Sequence, residues 1–421
     1  FFRPQVTMCN EGMSKRSHAV HFGAGKIGRG LVGLQLFQSG YHVTFVDVDS
    51  TIVGLMHASQ QYRVTIVAEK KSDVVVSNVD AMLPTDPTLE TLLTECDLIT
   101  TAVGVTVLPR LAKAIAKGIA RRLCDDVRRT LNIIACENGV DAIASLRAAI
   151  MDALEPSAKK YAEEWVGFAD SAIDRIVPDM DKSFDTSTNG AVDHLQVFAE
   201  EFFEWIVDCT HIKGQQPPIE GVVFSEDLLK YKERKLFTLN TGHAITAYLG
   251  HLKGYTTTLE SAKDIEIQAR VRGAMQESAA VLVRRHNFDA EQHGQYIEQI
   301  IQRFLNPNIT DAVSRAGRAP MRKLGPNDRL LKPLLGTIEY DLPNDNLCRG
   351  VAAALQYANP ADDESAELQE MVKKQGPMTA LAHIAKDAYA QLNEKTVAKI
   401  AAYCVLLLGE TSHKQPKSVH S

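Results

Sequence analysis

Three polar side chains draw attention for what they could do together: Lys235, Asn240 and His243, in the string KLFTLNTGH. On an α-helix of about 3.6 residues per turn, with Lys235 taken as zero, His243 falls near ~80° and Asn240 near ~140°. The three therefore occupy one arc of a helix. An amine, an amide and an imidazole grouped in this way suit oxidation of a secondary alcohol. The lysine accepts the hydroxyl proton as hydride leaves, the amide donates to the developing alkoxide, and the imidazole orients a hydroxyl. For this the amine must lose its proton far below its ordinary pKa of about 10.4, through burial or neighbouring positive charge. An ideal helix would separate Lys235 from His243 by about 12 Å along its axis, so either Gly242 marks a bend or the lysine side chain spans part of the gap. Taken singly, each residue also fits a bland role: a helix-capping lysine, a polar helix residue, a satisfied core histidine.

A hydride needs an acceptor, and the opening of the ordered chain, HAVHFGAGKIGRGLVGLQLFQSGYHVTFVDVD, offers a place for one. Gly23-Ala24-Gly25-Lys26-Ile27-Gly28 has G-x-G-x-x-G spacing. It follows the apolar run Ala19 to Phe22 and precedes a helical pattern (Leu31, Leu34, Leu36) that stops at Ser39-Gly40. Gly23 suits a tight turn, Gly25 lets the backbone approach a pyrophosphate, and Gly28 permits close helix–strand packing; the amides at the helix start, around Lys26 and Ile27, would hold the phosphates. A second strand, Tyr41 to Val46, ends at Asp47, which is placed to accept from ribose hydroxyls and would face a 2′-phosphate with like charge. The cofactor expected is NAD rather than NADP. Thr101-Ala102-Val103-Gly104, after the apolar run from Leu98, would line the same crevice at the sheet's carboxyl edge, with Thr101 and Val103 nearest the cofactor; an ordinary strand end is the other reading.

The elements that must position these groups follow from the apolar pattern. Further strand-like runs lie at Val64–Val67, Val74–Val76, Leu98–Val103 and Ile133–Ala135, with a helical pattern from Val107 to Ala120. Such alternation predicts a mostly parallel, doubly wound sheet covered by helices. VGFADSAIDRIVP and LQVFAEEFFEWIVD predict further strands or a mixed extension. From about Ser225 the chain turns Ala/Leu-rich with helical period, predicting a mostly α-helical second domain. The Gly/Pro-rich KGQQPPIEG supplies the boundary. The expected organisation is an extension over residues 1–15 without regular structure, a Rossmann-type domain over 16–214, a helical substrate domain over 215–410 and a polar tail over 411–421.

Composition narrows the class. The formal net charge is −6 and the pI about 6.1, giving no reason to expect nucleic acid or an anionic membrane surface as partner. No apolar run approaches the length of a membrane span, and the opening residues lack the apolar run of a secretory signal. The seven cysteines are scattered, form no C-x-x-C pair and sit near no histidine cluster, which argues against a disulfide framework or structural zinc. A cytoplasmic protein without metal is expected.

The string ERKLFTLNTGHAITAYLG resembles the long-chain mannitol dehydrogenase family, and within it the branch acting on mannitol 1-phosphate. The resemblance extends over HFGAGKIGRG, DLITTAVG, ACENGV, IDRIVP, EEFFEWIVD and RKLGPNDRLLKPLLGTIEY, nearly the whole chain. It implies Lys235 as general base, Asn240 sharing an oxyanion role with Asn138 of the first domain, and His243 positioning the substrate. It further implies NAD, no zinc, a small polyol or sugar-phosphate substrate, and a monomer or weak homodimer. Asp170 departs from the family pattern, which places an asparagine there. Between Val313 and Leu334 six basic residues face the single acid Asp328, and Arg318, Arg322 and Lys323, with Arg175, are the candidates for a substrate phosphate; a solvated basic helix face is the plain alternative. Free mannitol or a hexuronate as substrate, and a non-catalytic NAD-binding sensor, are the competing functions.

Overall fold

The computed structural model describes residues 17–68, 70–137, 139, 142–178, 193–309 and 311–412. The chain divides into two compact units, Phe1–Leu228 and Leu229–Ser421.

Among the described residues of the first unit eleven strands follow in chain order: β1 His18–Phe22, β2 His42–Val46, β3 Gln61–Val67, β4 Lys71–Ser77, β5 Val79–Met82, β6 Leu98–Thr101, β7 Leu131–Ala135, β8 Val166–Asp174, β9 Val197–Ala199, β10 Glu204–Asp208 and β11 Val222–Ser225. Eight of them form one sheet in the order β11-β10-β8-β7-β6-β1-β2-β5. All neighbouring pairs in it are parallel except β8 with β10. The strands are apolar because both faces are covered. Consecutive residues feed opposite cores: Ala19, Leu98 and Ile134 join one apolar cluster, while Val20, Ile99 and Ile133 join the other, as the two-residue period of a strand requires. The second cluster is closed by the helix Leu108–Cys124, whose Leu108, Ala112, Ile115 and Ile119 recur at helical spacing.

Two expectations need correction. The runs around Val64–Val67 and Val74–Val76 do not enter the parallel sheet. They are β3 and β4, an antiparallel pair that joins β9 in a separate three-stranded sheet. The slot beside β2 is filled by the short β5, which sequence pattern missed. The boundary also moves. Past KGQQPPIEG the chain still adds β11 to the sheet, parallel to β10, so the first unit runs on to Leu228 rather than ending at 214.

The second unit is helical. Its centre is a helix over Thr241–Lys253, buried from Thr241 to Gly250 except at His243. Small residues let neighbours approach it. A side chain at Gly242 would meet Met275 of the helix Ile265–His286, and one at Gly350 of the helix Asp345–Leu355 would meet Ile245. The long helix Ile265–His286 is capped by Asp264, which accepts from the Glu266 and Ile267 amides, and ends on left-handed Asn287. Regular structure continues to Ser412 in the helix Glu394–Ser412, one residue past the expected start of the tail; the expected extension over 1–15 lies outside the described residues. No described helix is long and apolar enough to cross a membrane.

Candidate active site

The sheet reverses its direction of growth at β1. Strands β2 and β5 extend to one side of it, and β6, β7 and β8 to the other. A ligand crevice is expected outside the carboxyl ends at such a switch point, and one of about 250 Å³ lies there, lined by Ile27, Ala102, Gly104, Cys136, Glu137 and Ile173, among others.

The glycines of the turn divide by cause. Gly23 has φ +107°, and a side chain there would strike the Ala102 carbonyl oxygen at 2.5 Å; at Gly28 one would lie 1.9 Å from the Gly23 oxygen. The fold therefore demands both. At Gly25 a side-chain carbon would meet nothing within 4 Å, so the fold itself does not demand a glycine there. Lys26 is exposed and Ile27 partly buried at the helix start. Beyond them Gly28–Gly33 is a π-helical turn. The Tyr62 hydroxyl donates to its Arg29 carbonyl at 2.9 Å, and the buried Arg29 guanidinium donates to the Leu195 and His194 carbonyls. Beneath the turn His21 is fully buried and linked to Thr100 at 2.7 Å. Burial drives its pKa down to about 3, so it is a neutral packing group.

Asp47 stands at the end of β2. It accepts from the Ala24 amide at 2.5 Å and the Asp49 amide at 3.0 Å, tying the glycine turn to the second strand. Both oxygens keep spare lone pairs for a ribose hydroxyl. Thr101 and Val103 are gripped by a residue that sequence reasoning missed. Buried Glu137 accepts from the Thr101 hydroxyl at 3.1 Å, the Val103 amide at 2.9 Å and the Gly104 amide at 2.8 Å. An acid two residues past the largely apolar strand Leu131–Ala135 was the available signal. Asn138, its neighbour, lies outside the described residues. Asp170 pairs with Ala135 along β8, and its carboxylate accepts from the Ser171 amide at 2.9 Å. A glycine turn open on one side, helix-start amides, and a carboxylate with no ion-pair partner among the described residues beside them fit a dinucleotide with unphosphorylated ribose.

The second constellation lies in the helical unit, and its geometry differs from the ideal helix assumed above. Lys235 ends the helix Leu228–Lys235, Leu236–Asn240 is a π-helical turn, and Thr241 begins the next α-helix. The Thr241 amide donates back five residues to Leu236. With i→i+5 bonding each turn holds more residues than in an α-helix, so Lys235 and Asn240 fall nearer to one face than the ~140° of an ideal α-helix. Gly242 marks no bend; its role is contact with Met275. The turn is supported from outside: the Thr241 hydroxyl lies 3.0 Å from the Leu236 carbonyl and 2.7 Å from that of Arg329, and Thr238 meets the buried His293 imidazole at 3.0 Å.

Lys235 is partly buried, as is Asn240. His243 is about one-third exposed and its Nε2 lies 3.2 Å from the Asp311 carboxylate, a second group the sequence did not single out. Burial pushes the Asp311 pKa up, but hydrogen bonds from His243 and Arg315 outweigh this and hold it below the usual carboxylate range. Two residues before Lys235, buried Glu233 accepts from Arg285, His286 and Lys332, the closest contacts being 2.7 and 2.8 Å. This fastens the lysine's helix to two others.

The phosphate candidates fare unequally. Arg175 is buried in the first unit, donates to the Glu200 and Gly30 carbonyls and stacks on Phe203. It is a structural group rather than an open anion site. Lys323 is also buried, donates to the Ala316 carbonyl, and is pushed down to about 7 by burial and by the neighbouring Arg329 and Arg322. Arg322 pairs with Asp328, while Arg318 is exposed. Among the described residues no group of three or more His, Cys, Asp or Glu side chains is disposed to hold a metal ion.

Residues 17–221 match the family model described as the mannitol dehydrogenase Rossmann domain, and residues 227–405 that of the mannitol dehydrogenase C-terminal domain. Among solved structures, the chain is similar to a D-sorbitol dehydrogenase in substrate-free form, with a TM-score of 0.79, 19% identity and 93% of each chain covered. It is also similar to the Pseudomonas fluorescens mannitol 2-dehydrogenase in its ternary complex with NAD and D-mannitol, with a TM-score of 0.72, 17% identity and 95% of each chain covered.

Proposed function

From the premise that the chain belongs to the mannitol dehydrogenase family, we propose that it interconverts D-mannitol 1-phosphate and D-fructose 6-phosphate, with NAD as redox partner and no metal. The observation that carries the oxidoreductase reading is the π-helical turn Leu236–Asn240, which begins directly after Lys235 and ends on Asn240, three residues before His243. NAD supplies the hydride acceptor for the alcohol carbon. Lys235, entering the oxidation unprotonated, takes the hydroxyl proton from the same alcohol, so the C–H and O–H bonds both break and the carbonyl forms. Asn240 and Asn138 donate to the oxygen while it carries negative charge, which a site with fixed donors stabilises better than water does. In the reverse direction the Lys235 ammonium returns the proton to the ketone oxygen. His243 orients a further hydroxyl.

The phosphate rests on the basic stretch from Arg315 to Lys332, with the exposed Arg318, and Arg322 on release from Asp328, as the groups for an anion. Free polyol is the second reading. It is favoured by the number of these cations already engaged: Arg315 with Asp311, Arg322 and Arg329 with Asp328, Lys332 with Glu233. The two separate in one experiment: NADH-dependent reduction of fructose 6-phosphate, fructose and fructuronate. The proposal expects fructose 6-phosphate to lead in kcat/KM by at least about 100-fold, roughly what two charge-assisted contacts supply. Equal efficiency with free fructose would overturn it.

A further inference from the structure

We infer that Asp311 is a positioning residue that fixes the tautomer of His243, so that the imidazole meets its ligand through Nδ1 as a hydrogen-bond acceptor and reads a hydroxyl rather than a phosphate or carbonyl oxygen. The ligand half of this statement rests on the proposed function; the tautomer half stands on geometry alone. An ionised carboxylate can only accept. With Asp311 Oδ2 at 3.2 Å from Nε2, the ring hydrogen of neutral His243 sits on Nε2 and the lone pair is on Nδ1. Among the described residues nothing hydrogen-bonds Nδ1, and the ring is about one-third exposed.

The carboxylate is itself tightly held. The Arg315 guanidinium forks onto it, Nε to Oδ1 at 2.5 Å and Nη2 to Oδ2 at 2.8 Å. The Asp311 carbonyl accepts from the Thr258 amide at 2.8 Å and hydroxyl at 3.2 Å. The ring of Phe304, 5.7 Å from the imidazole between centroids, limits its rotation. One acid thus joins the central helix, the start of the helix Thr258–Lys263 and the short helix Val313–Gly317. A neutral Nδ1 acceptor repels anionic oxygens and cannot donate to a ketone. The reacting oxygen and any phosphate therefore fall to other groups, and His243 selects a hydroxyl on a neighbouring carbon.

The test uses the full chain with ring-¹⁵N-labelled histidine and long-range ¹H–¹⁵N spectra at neutral pH, the His243 signals being assigned by their loss in His243→Gln. The wild type is expected to show the Nε2-protonated neutral form. Asp311→Asn, close in shape, presents an amide donor to Nε2 and is expected to shift His243 toward the Nδ1-protonated form. Arg315→Ala, which leaves the carboxylate in place, is expected to keep the wild-type tautomer and so reports on mere disturbance of the fold. An Nδ1-protonated or doubly protonated wild type, or an unchanged tautomer in Asp311→Asn, would overturn the inference. In kinetics Asp311→Asn should raise KM for fructose 6-phosphate about tenfold with a smaller change in kcat and NADH binding unaltered, the size expected for one lost hydrogen bond. A kcat/KM within twofold of wild type would sink the ligand half. If no ketose is reduced by the wild type, the proposed function fails, while the tautomer is still decided by the spectra.

Discussion

The glycine turn of the sheet unit and the lysine turn of the helical unit are both π-helical, at Gly28–Gly33 and Leu236–Asn240, yet they use the same irregularity for opposite ends. In the first, the groups offered to a ligand are main-chain amides, and what matters is where side chains are missing. Gly28 is imposed by the protein's own backbone, whereas at Gly25 the protein leaves open space. In the second, the groups are side chains, and what matters is the rotation from one residue to the next. One extra residue in the turn changes the angle between Lys235 and Asn240 from that of an ideal α-helix. A main-chain site tolerates changes of side chain on its flanks; a side-chain site depends on every residue that holds the helical period, including Thr241 and Thr238 behind it.

The widest separation of the two sites comes from Lys235→Ala. Turnover with fructose 6-phosphate and NADH should fall about 10²–10⁴-fold, the range for loss of a general acid–base. NADH affinity, read by fluorescence titration, should stay within about twofold. Retained turnover would remove Lys235 from the chemistry; lost NADH binding would mean that it serves the cofactor instead. The glycine turn is broken in the converse way by Gly28→Ala, whose methyl would lie 1.9 Å from a backbone oxygen. That overlap should cost about 3 kcal/mol or more, seen as a lowered Tm together with lost NADH binding. Gly25→Ala meets no protein atom and should melt like the wild type while binding NADH at least about tenfold more weakly. If Gly25→Ala binds normally, the backbone at that position does not approach the cofactor.

The two turns were also unequally legible. The strand–turn–helix–strand order and Asp47 could be read directly, because a glycine forced by main-chain contact leaves its mark as a residue type. Lys235, Asn240 and His243 could be picked out as residues, but their angles were wrong: an ideal helical period was applied across a π turn that nothing in KLFTLNTGH announces. The supporting acids were missed for a related reason. Glu137, Glu233 and Asp311 act through partners far along the chain, Glu233 through residues 52 and 53 positions away, and spacing within a motif cannot show that. Arg175 and Lys323 show the reverse error. Each is a basic residue that looked available, Lys323 within a basic stretch and Arg175 outside it, while burial had already committed both to backbone carbonyls.

The buried amine of Lys323 sharpens the contrast through pH. Its folded pKa of about 7 lies below the value near 10.5 of an exposed lysine, so between these pH values the unfolded chain binds more protons and stability rises with pH. Below pH 7 both states are protonated and the contribution is constant. Lys323→Met removes this term. From pH 7 to 10 the wild type should gain about 2–4 kcal/mol relative to the variant in paired denaturant titrations, at about 1.4 kcal/mol per pKa unit less residual solvation. A pH-independent difference would mean that Lys323 stays charged in the folded protein.

The smallest expected effect bears on the carboxylate that joins the glycine turn to the second strand. Asp47→Ala removes an acceptor for the ribose hydroxyls and also frees the Ala24 and Asp49 amides, so weaker NADH binding alone would not separate ligand contact from loop support. The ratio of NADPH to NADH affinity does separate them. Loss of loop order weakens both cofactors alike, whereas loss of a carboxylate facing the 2′ position weakens NADH by about tenfold, one hydrogen bond to a charged group, and relieves the repulsion of a 2′-phosphate, so that NADPH binding holds or improves. An unchanged ratio, whatever the fall in NADH affinity, would confine Asp47 to holding the turn.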